Sequence, residues 1–161
     1  EMEEEDFTTT IDLNVDAFIP DSYIPNEYQK LDIYKRIAAI ESDEEREDME
    51  EELIDRFGDS PKKVGTLLEV AALKARAHKL YVTTIEQKGD MYTFTMYEHA
   101  KVQPERIPKL IELFRGSLTF RAENYTFVYV HKIRNKREKP PMPTEIVAKV
   151  LDGIARILVQ N

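Results

Sequence analysis

The chain has 161 residues, 42% of them hydrophobic and 34% charged, which is enough to bury a core without metal or disulfide staples. It contains no cysteine, excluding disulfides, thiolate metal sites, iron–sulfur clusters and a cysteine nucleophile, and its three histidines lie far apart. The net charge of −8 hides a split: residues 1–60 hold 21 Asp and Glu against 5 Lys and Arg, a net of −16, whereas residues 61–161 hold 10 against 18, a net of +8.

An acidic half repels phosphates and suits a basic protein surface, while the basic half leaves nucleic acid open as a weaker option. No apolar run nears the ~20 residues that span a bilayer, and the acidic opening Glu1–Asp6 is the opposite of a signal peptide. The expectation is a cytoplasmic chain with no membrane contact. A first residue of Glu rather than Met is expected of a piece of a longer protein.

Residues 1–7 read as a disordered acidic lead-in, and residues 8–161 as one domain. Thr10–Val15 alternates, with Ile11, Leu13 and Val15 on one face, and predicts a half-buried strand. Pro20 and Pro25 bracket an extended linker. Asn26 is placed to cap a helix to about Ile40, with Tyr28, Leu31, Tyr34, Ile37 and Ala38 as its stripe. Ser42 and Glu45 form a capping-box pattern before an acidic helix, whose inner row is Met49, Leu53 and Phe57 and whose C-terminal cap is Gly58. Pro61 then opens a third helix, to about Leu80, on Val64, Leu67, Leu68, Ala71, Ala75 and His78.

At Tyr81 the apolar period falls from 3.6 to 2. Tyr81–Gln87 and Met91–Glu98 flank Lys88-Gly89-Asp90 as a hairpin. A short helix follows over Pro104–Phe114, its start delayed by Pro108. A second hairpin is expected from Ser117–Ala122 and Tyr125–His131, then a basic, Pro-rich loop over Lys132–Met142 and a closing helix over Pro143–Val159. Helices and hairpins come in blocks rather than alternating. The expected class is therefore α+β: three amphipathic N-terminal helices packed on a small antiparallel sheet of two hairpins, with a C-terminal helix.

Phosphate-cradling loops of the G-x-x-x-x-G-K-[ST] or G-x-G-x-x-G kind are absent, as are H-E-x-x-H and G-x-S-x-G, and there are only five glycines. No catalytic residue, metal or cofactor is expected, and each histidine is read as structural or solvent-facing. Two charged segments remain. The acidic helix offers carboxylates three or four apart, which suit a solvated face, a docking face for a basic partner, or a cation or acid–base pair; Arg56 can neutralise Glu52 at i, i+4. Lys132–Lys139 gathers five basic residues downstream of Tyr125, Phe127 and Tyr129, a solvated loop or a nucleic-acid contact through Lys132, Arg134, Lys136 and Arg137.

Three ordered blocks carry a resemblance: Asn14–Pro25 (NVDAFIPDSYIP), Leu31–Ile37 (LDIYKRI) and Glu51–Pro61 (EELIDRFGDSP). The chain resembles the C-terminal domain of bacterial transcription-repair coupling factors, over about residues 10–80 and more loosely beyond. The resemblance implies a parent that is an ATP-driven translocase on duplex DNA, displacing stalled RNA polymerase and recruiting nucleotide excision repair. The motor and polymerase-binding motifs are not in this sequence. It further implies that this domain is regulatory: it packs on a repair-protein-like N-terminal module of the same polypeptide and masks the surface for the damage-recognition ATPase of excision repair. Carried onto the matching motif, the masking contact falls on Glu52 and Asp55, with support from Glu51 and Asp59. A nucleic-acid-binding module using the basic loop is the alternative.

Overall fold

The computed structural model describes residues 7–133 and 135–159. The chain divides into two compact units, Val15–Arg76 and a second unit joining the segment ending at Asn14 to the chain from Ala77 onward.

The first unit is helical. Helix α1 spans Glu27–Ala38, capped by Asn26, whose side-chain oxygen takes the N–H groups of Tyr28 and Gln29, each at 3.0 Å. Helix α2 spans Asp43–Phe57, and α3, spanning Lys62–Lys79, begins in this unit. Their shared core is Ile19, Ile24, Ile33, Ile37, Met49, Leu53, Val64 and Leu68. The inward face of α1 is rotated from the expected stripe: Ile37 is buried and Tyr34 half-buried against the core as expected, Ile33 joins them, and Tyr28 is 87% and Leu31 54% exposed. Tyr28 and Leu31 lie on nearly the opposite side of the helix from Ile33 and Ile37, and the sequence offers apolar residues on both sides.

The second unit is built on one sheet. Its strands are β1 (Thr10–Asp12), β2 (Val82–Lys88), β3 (Met91–Met96), β4 (Leu118–Arg121) and β5 (Thr126–Val130), in the order β1-β2-β3-β5-β4. Both predicted hairpins form, β2 with β3 and β4 with β5, and β3 and β5 pair to join them. The first closes on two residues, Gly89 and Asp90, with φ at Gly89 of 60°, a value that glycine adopts without strain. Strand β1 is shorter than expected and pairs parallel to β2, Ile11 facing Ile85, so the sheet is mixed rather than wholly antiparallel. A parallel pair needs a long crossover, and here the chain between the two strands holds all of α1, α2 and α3. Thr9, just ahead of β1, donates to Val82 O at 2.7 Å and lies 3.2 Å from His78 Nδ1, while the Phe7 ring stacks 4.6 Å from that of Tyr97.

A 3-10 turn at Pro104–Arg106 leads into α4 (Ile107–Leu113), with Pro108 in its first turn as expected. Helix α5 (Pro143–Ile157) buries Ile146, Val147, Val150, Leu151 and Ile154. It meets α4 at Gly153, where an added Cβ would stand 3.0 Å from both Leu110 Cδ1 and Phe114 Cε2. The class is α+β. Among the described residues no helix is long and apolar enough to cross a membrane.

Candidate docking surface

Helix α2 begins where the Ser42 hydroxyl accepts the N–H of Glu45 at 3.1 Å. The Glu45 carboxylate turns back to accept the N–H of Glu41 at 2.6 Å, so the predicted box closes one residue ahead of the cap. Three carboxylates in the first turn suit the positive end of the helix dipole. The helix stops at Gly58, with φ 89°, where a side chain would be strained, and the Gly58 N–H reaches Ile54 O at 2.9 Å.

Met49 and Leu53 face the core, and Phe57 is half-buried against it, its ring 5.8 Å from that of Tyr23. The Tyr23 hydroxyl lies 3.1 Å from Leu53 O and 2.9 Å from Gly58 O, bridging the last turn of the helix and its cap. Burial and, to a lesser degree, the Asp59 carboxylate raise the pKa of this phenol, which keeps it a donor.

The four predicted docking carboxylates have different surroundings. Glu51, Asp55 and Asp59 are all exposed; Glu51 and Asp55, four apart, share one face of α2, and Asp59 follows the Gly58 cap, just past the end of the helix. Among the described residues no ion pair engages any of the three. Ile54, 44% exposed, flanks these carboxylates on one side. Glu52 lies one step further round, toward the core, and its side chain is 34% exposed. The Arg36 guanidinium, from α1, takes both of its oxygens, Nη2 meeting Oε1 at 2.6 Å and Nη1 meeting Oε2. Arg56 adds a third bond to Oε2 at 2.9 Å, with its guanidinium 4.9 Å from the centre of the Phe57 ring. The hydrogen bond from Arg36, seconded by that from Arg56 and by both charges, outweighs burial and lowers the Glu52 pKa to about 2.

Glu52 is thus a structural clamp between two helices, and the free charge lies on Asp55, Glu51 and Asp59. The i, i+4 rule finds Arg56, but no spacing rule links Arg36 to a carboxylate on another helix 16 residues away. Arg46 offsets more of the acidic helix, at 3.5 Å from Glu50 and 3.9 Å from Glu47. Among the described residues no group of three or more His, Asp or Glu is gathered so as to hold a metal ion.

The basic loop leaves Lys132, Lys136 and Arg137 exposed, with a short turn held by Asn135, whose Oδ1 accepts the Arg137 N–H at 3.1 Å. Arg134 lies outside the described residues. The aromatics upstream offer these cations little: Phe127 is 0% and Tyr129 7% exposed, because β5 is an inner strand packed on both faces. Tyr125, just ahead of the strand, is half-exposed and is the one ring of the three that a base could partly reach.

The family model of the TRCF domain matches residues 13–107, a span that contains α1 and α2 but not the basic loop. The transcription-repair-coupling factor of Bacillus subtilis (strain 168) is 40% identical over 109 residues, covering 68% of this chain and 9% of that protein. That of Rickettsia bellii (strain RML369-C) is 29% identical over 133 residues, covering 83% of this chain and 12% of that protein. The chain therefore spans about a tenth of the length of these curated relatives. Among solved structures, a crystal structure of the C-terminal domain of transcription-repair coupling factor matches with a TM-score of 0.74 and 26% identity, over 93% of each chain. With more than half its length inside the family model and its fold matched over 93% of its length, the chain belongs to the TRCF domain family.

Proposed function

We propose that this chain is the regulatory, autoinhibitory interaction domain of a cytoplasmic DNA translocase that couples transcription to nucleotide excision repair. In this reading the exposed row of α2 docks on an arginine-bearing face of a repair-protein-like module in the same polypeptide. The docked state covers the surface that recruits the damage-recognition ATPase. ATP hydrolysis and contacts with duplex DNA and RNA polymerase belong to other parts of that polypeptide. The chain itself acts by binding and carries no catalytic role.

The observation that supports this most directly is the division of labour among the carboxylates. Glu52 is held by Arg36 and Arg56, while Asp55, Glu51 and Asp59 stand exposed, with the partly exposed Ile54 beside them. Exposed carboxylates with an apolar side chain at their edge suit the polar rim of a docking patch. A tether within one polypeptide supplies an effective concentration near millimolar, so contacts that are weak between separate molecules still hold a closed state.

The test is the affinity of the full-length protein for the excision-repair ATPase. Reversing Glu52 and Asp55 together is expected to raise it, but Glu52→Arg also sets a third cation beside Arg36 and Arg56. Asp55→Arg alone is therefore the cleaner variant, since its side chain is exposed and outside the clamp. Stronger ATPase binding with an unchanged circular dichroism spectrum supports masking. Unchanged affinity with an intact fold returns the row to plain solvation.

A further inference from the structure

The outward side of α1 differs from the rest of its unit in charge. Residues 15–76 hold 16 Asp and Glu against 9 Lys and Arg, a net of −7, and more than half of those carboxylates lie on α2. On α1, by contrast, the helical period sets Tyr28, Leu31, Asp32, Lys35 and Ala39 on one side, away from Ile33 and Ile37. That side bears one charge of each sign. It also shows two large apolar side chains to water, Tyr28 at 87% and Leu31 at 54% exposure.

A socket lies at the far end of the same helix. A cavity of about 330 Å³ opens between α1 and α2, with Ile40 and Met49 as its nearly buried floor. Arg36 and Ala39 line it from the α1 side, and Glu45 and Asp48 from the α2 side. Its volume admits one aromatic side chain, and its carboxylates can accept a hydrogen bond from a phenol.

Knob and socket are placed for symmetry. Tyr28 and Ala39 stand equally far from the midpoint between Ile33 and Tyr34, and so do Asp32 and Lys35. A two-fold axis crossing α1 at that midpoint therefore satisfies both pairs at once: Tyr28 of each copy meets Ala39 of the other, and Asp32 of each meets Lys35 of the other. Leu31, within one turn of the axis, packs beside its own copy.

We propose that this side of α1 is a self-association surface whose occupant is a second copy of the chain, the two α1 helices lying antiparallel with each Tyr28 seated in the other's socket. The phenol donates to Glu45 or Asp48, and the Arg36 guanidinium, still bound to Glu52, borders the ring. The balanced charge of α1 lets two acidic units meet without like charges at the centre. A tyrosine buries about 150–250 Å², so the whole contact falls below the roughly 1,200 Å² of standard interfaces, and the pairing is weak and reversible.

The test is sedimentation equilibrium of the 161-residue chain from micromolar to millimolar concentration, with backbone amide shifts followed over the same range. A reversible dimer is expected, with shifts centred on α1 and the first turns of α2. Tyr28→Ala should weaken it at least roughly tenfold. Asp32→Lys sets lysine against Lys35, and Lys35→Asp sets aspartate against Asp32, so each alone should weaken it roughly tenfold. Asp32 also supports the charge of Arg36, one turn on, so circular dichroism checks the fold of each variant. An equimolar mixture of the two charge variants should recover wild-type affinity, because every cross-pair is then of opposite sign; the variant carrying both changes should recover it unaided. The proposal is overturned if the wild type stays monomeric throughout, if Tyr28→Ala pairs as well as the wild type, or if the mixture associates no better than its components.

Discussion

Arg36 and Glu52, one on each of two neighbouring helices, face each other fork to fork, so that α1 and α2 share a charge pair beside their apolar contact. The pair is partly in water, with Arg36 43% and Glu52 34% exposed at the side chain, so solvent screening holds its contribution to about 1 kcal/mol. Its pH dependence has a definite sign. The folded pKa of about 2 lies below the ordinary value of 4.5, so the stabilisation is complete above pH 4.5 and disappears as the pH falls toward 2. Glu52→Gln should therefore cost about 1 kcal/mol at pH 7 and almost nothing near pH 2. Urea unfolding of both proteins at the two pH values checks this; an equal difference at both would mean that the carboxylate charge is not what matters.

Neighbouring apolar positions on α2 should respond very differently to truncation. Leu53 is 0% exposed, and Leu53→Ala should cost about 2–5 kcal/mol through the cavity it leaves. Ile54 is 44% exposed, and Ile54→Ala should cost well under about 1 kcal/mol. Phe57 is expected between them, because half of it already faces water. Denaturant midpoints of the three variants give the ranking, and a large effect at Ile54 would place the core on the wrong side of the helix.

Gly153 sets how closely α4 and α5 approach. Alanine there gains about 1 kcal/mol of helix propensity but must push aside two side chains at 3.0 Å, so the two effects nearly cancel. Gly153→Leu has no such offset and should destabilise by about 1–3 kcal/mol or more through overpacking. Thermal unfolding of both variants tests this, and a leucine variant as stable as the wild type would mean that the helices separate freely.

The α1 cap rests on one side chain. Asn26→Ala removes the acceptor of two backbone N–H groups and should cost about 1 kcal/mol, whereas Asn26→Asp should retain it. Equal loss in both variants, measured by denaturation, would assign the effect to something other than the cap.

Capping and turn chemistry were the most legible parts of this sequence. Asn26, Ser42 and Gly58 each act where their residue type demands, since these signals are local and depend on a few adjacent backbone groups. Non-local features were hidden. The parallel pairing of Ile11 with Ile85 depends on a strand contributed from beyond three helices, and nothing in a three-residue strand announces its partner. The phase of α1 is only partly legible, because Tyr28 and Leu31 are apolar yet exposed while Tyr34 and Ile37 face the core, and amphipathic counting cannot tell an outward apolar residue from an inward one. Within the docking surface the motif located the acidic turn, but the distinction between the clamped Glu52 and the free Asp55 needed Arg36 in three dimensions.

The bridge made by Tyr23 at the exit of α2 bears on how a partner would be met. Its hydroxyl sits between two carbonyl oxygens, at Leu53 and Gly58, on either side of Asp55 and just ahead of Asp59. Backbone held in this way has little conformational freedom left to lose on association. The remaining entropic cost falls on side-chain rotamers, about 0.5–1.5 kcal/mol for each long, mobile side chain immobilised and less for short aspartates. A rigid row of carboxylates of this kind steers an approaching cationic face before contact is made. Added salt should accordingly slow its encounter with a separate basic partner more than it hastens release, a kinetic signature that a flexible acidic tail would not share.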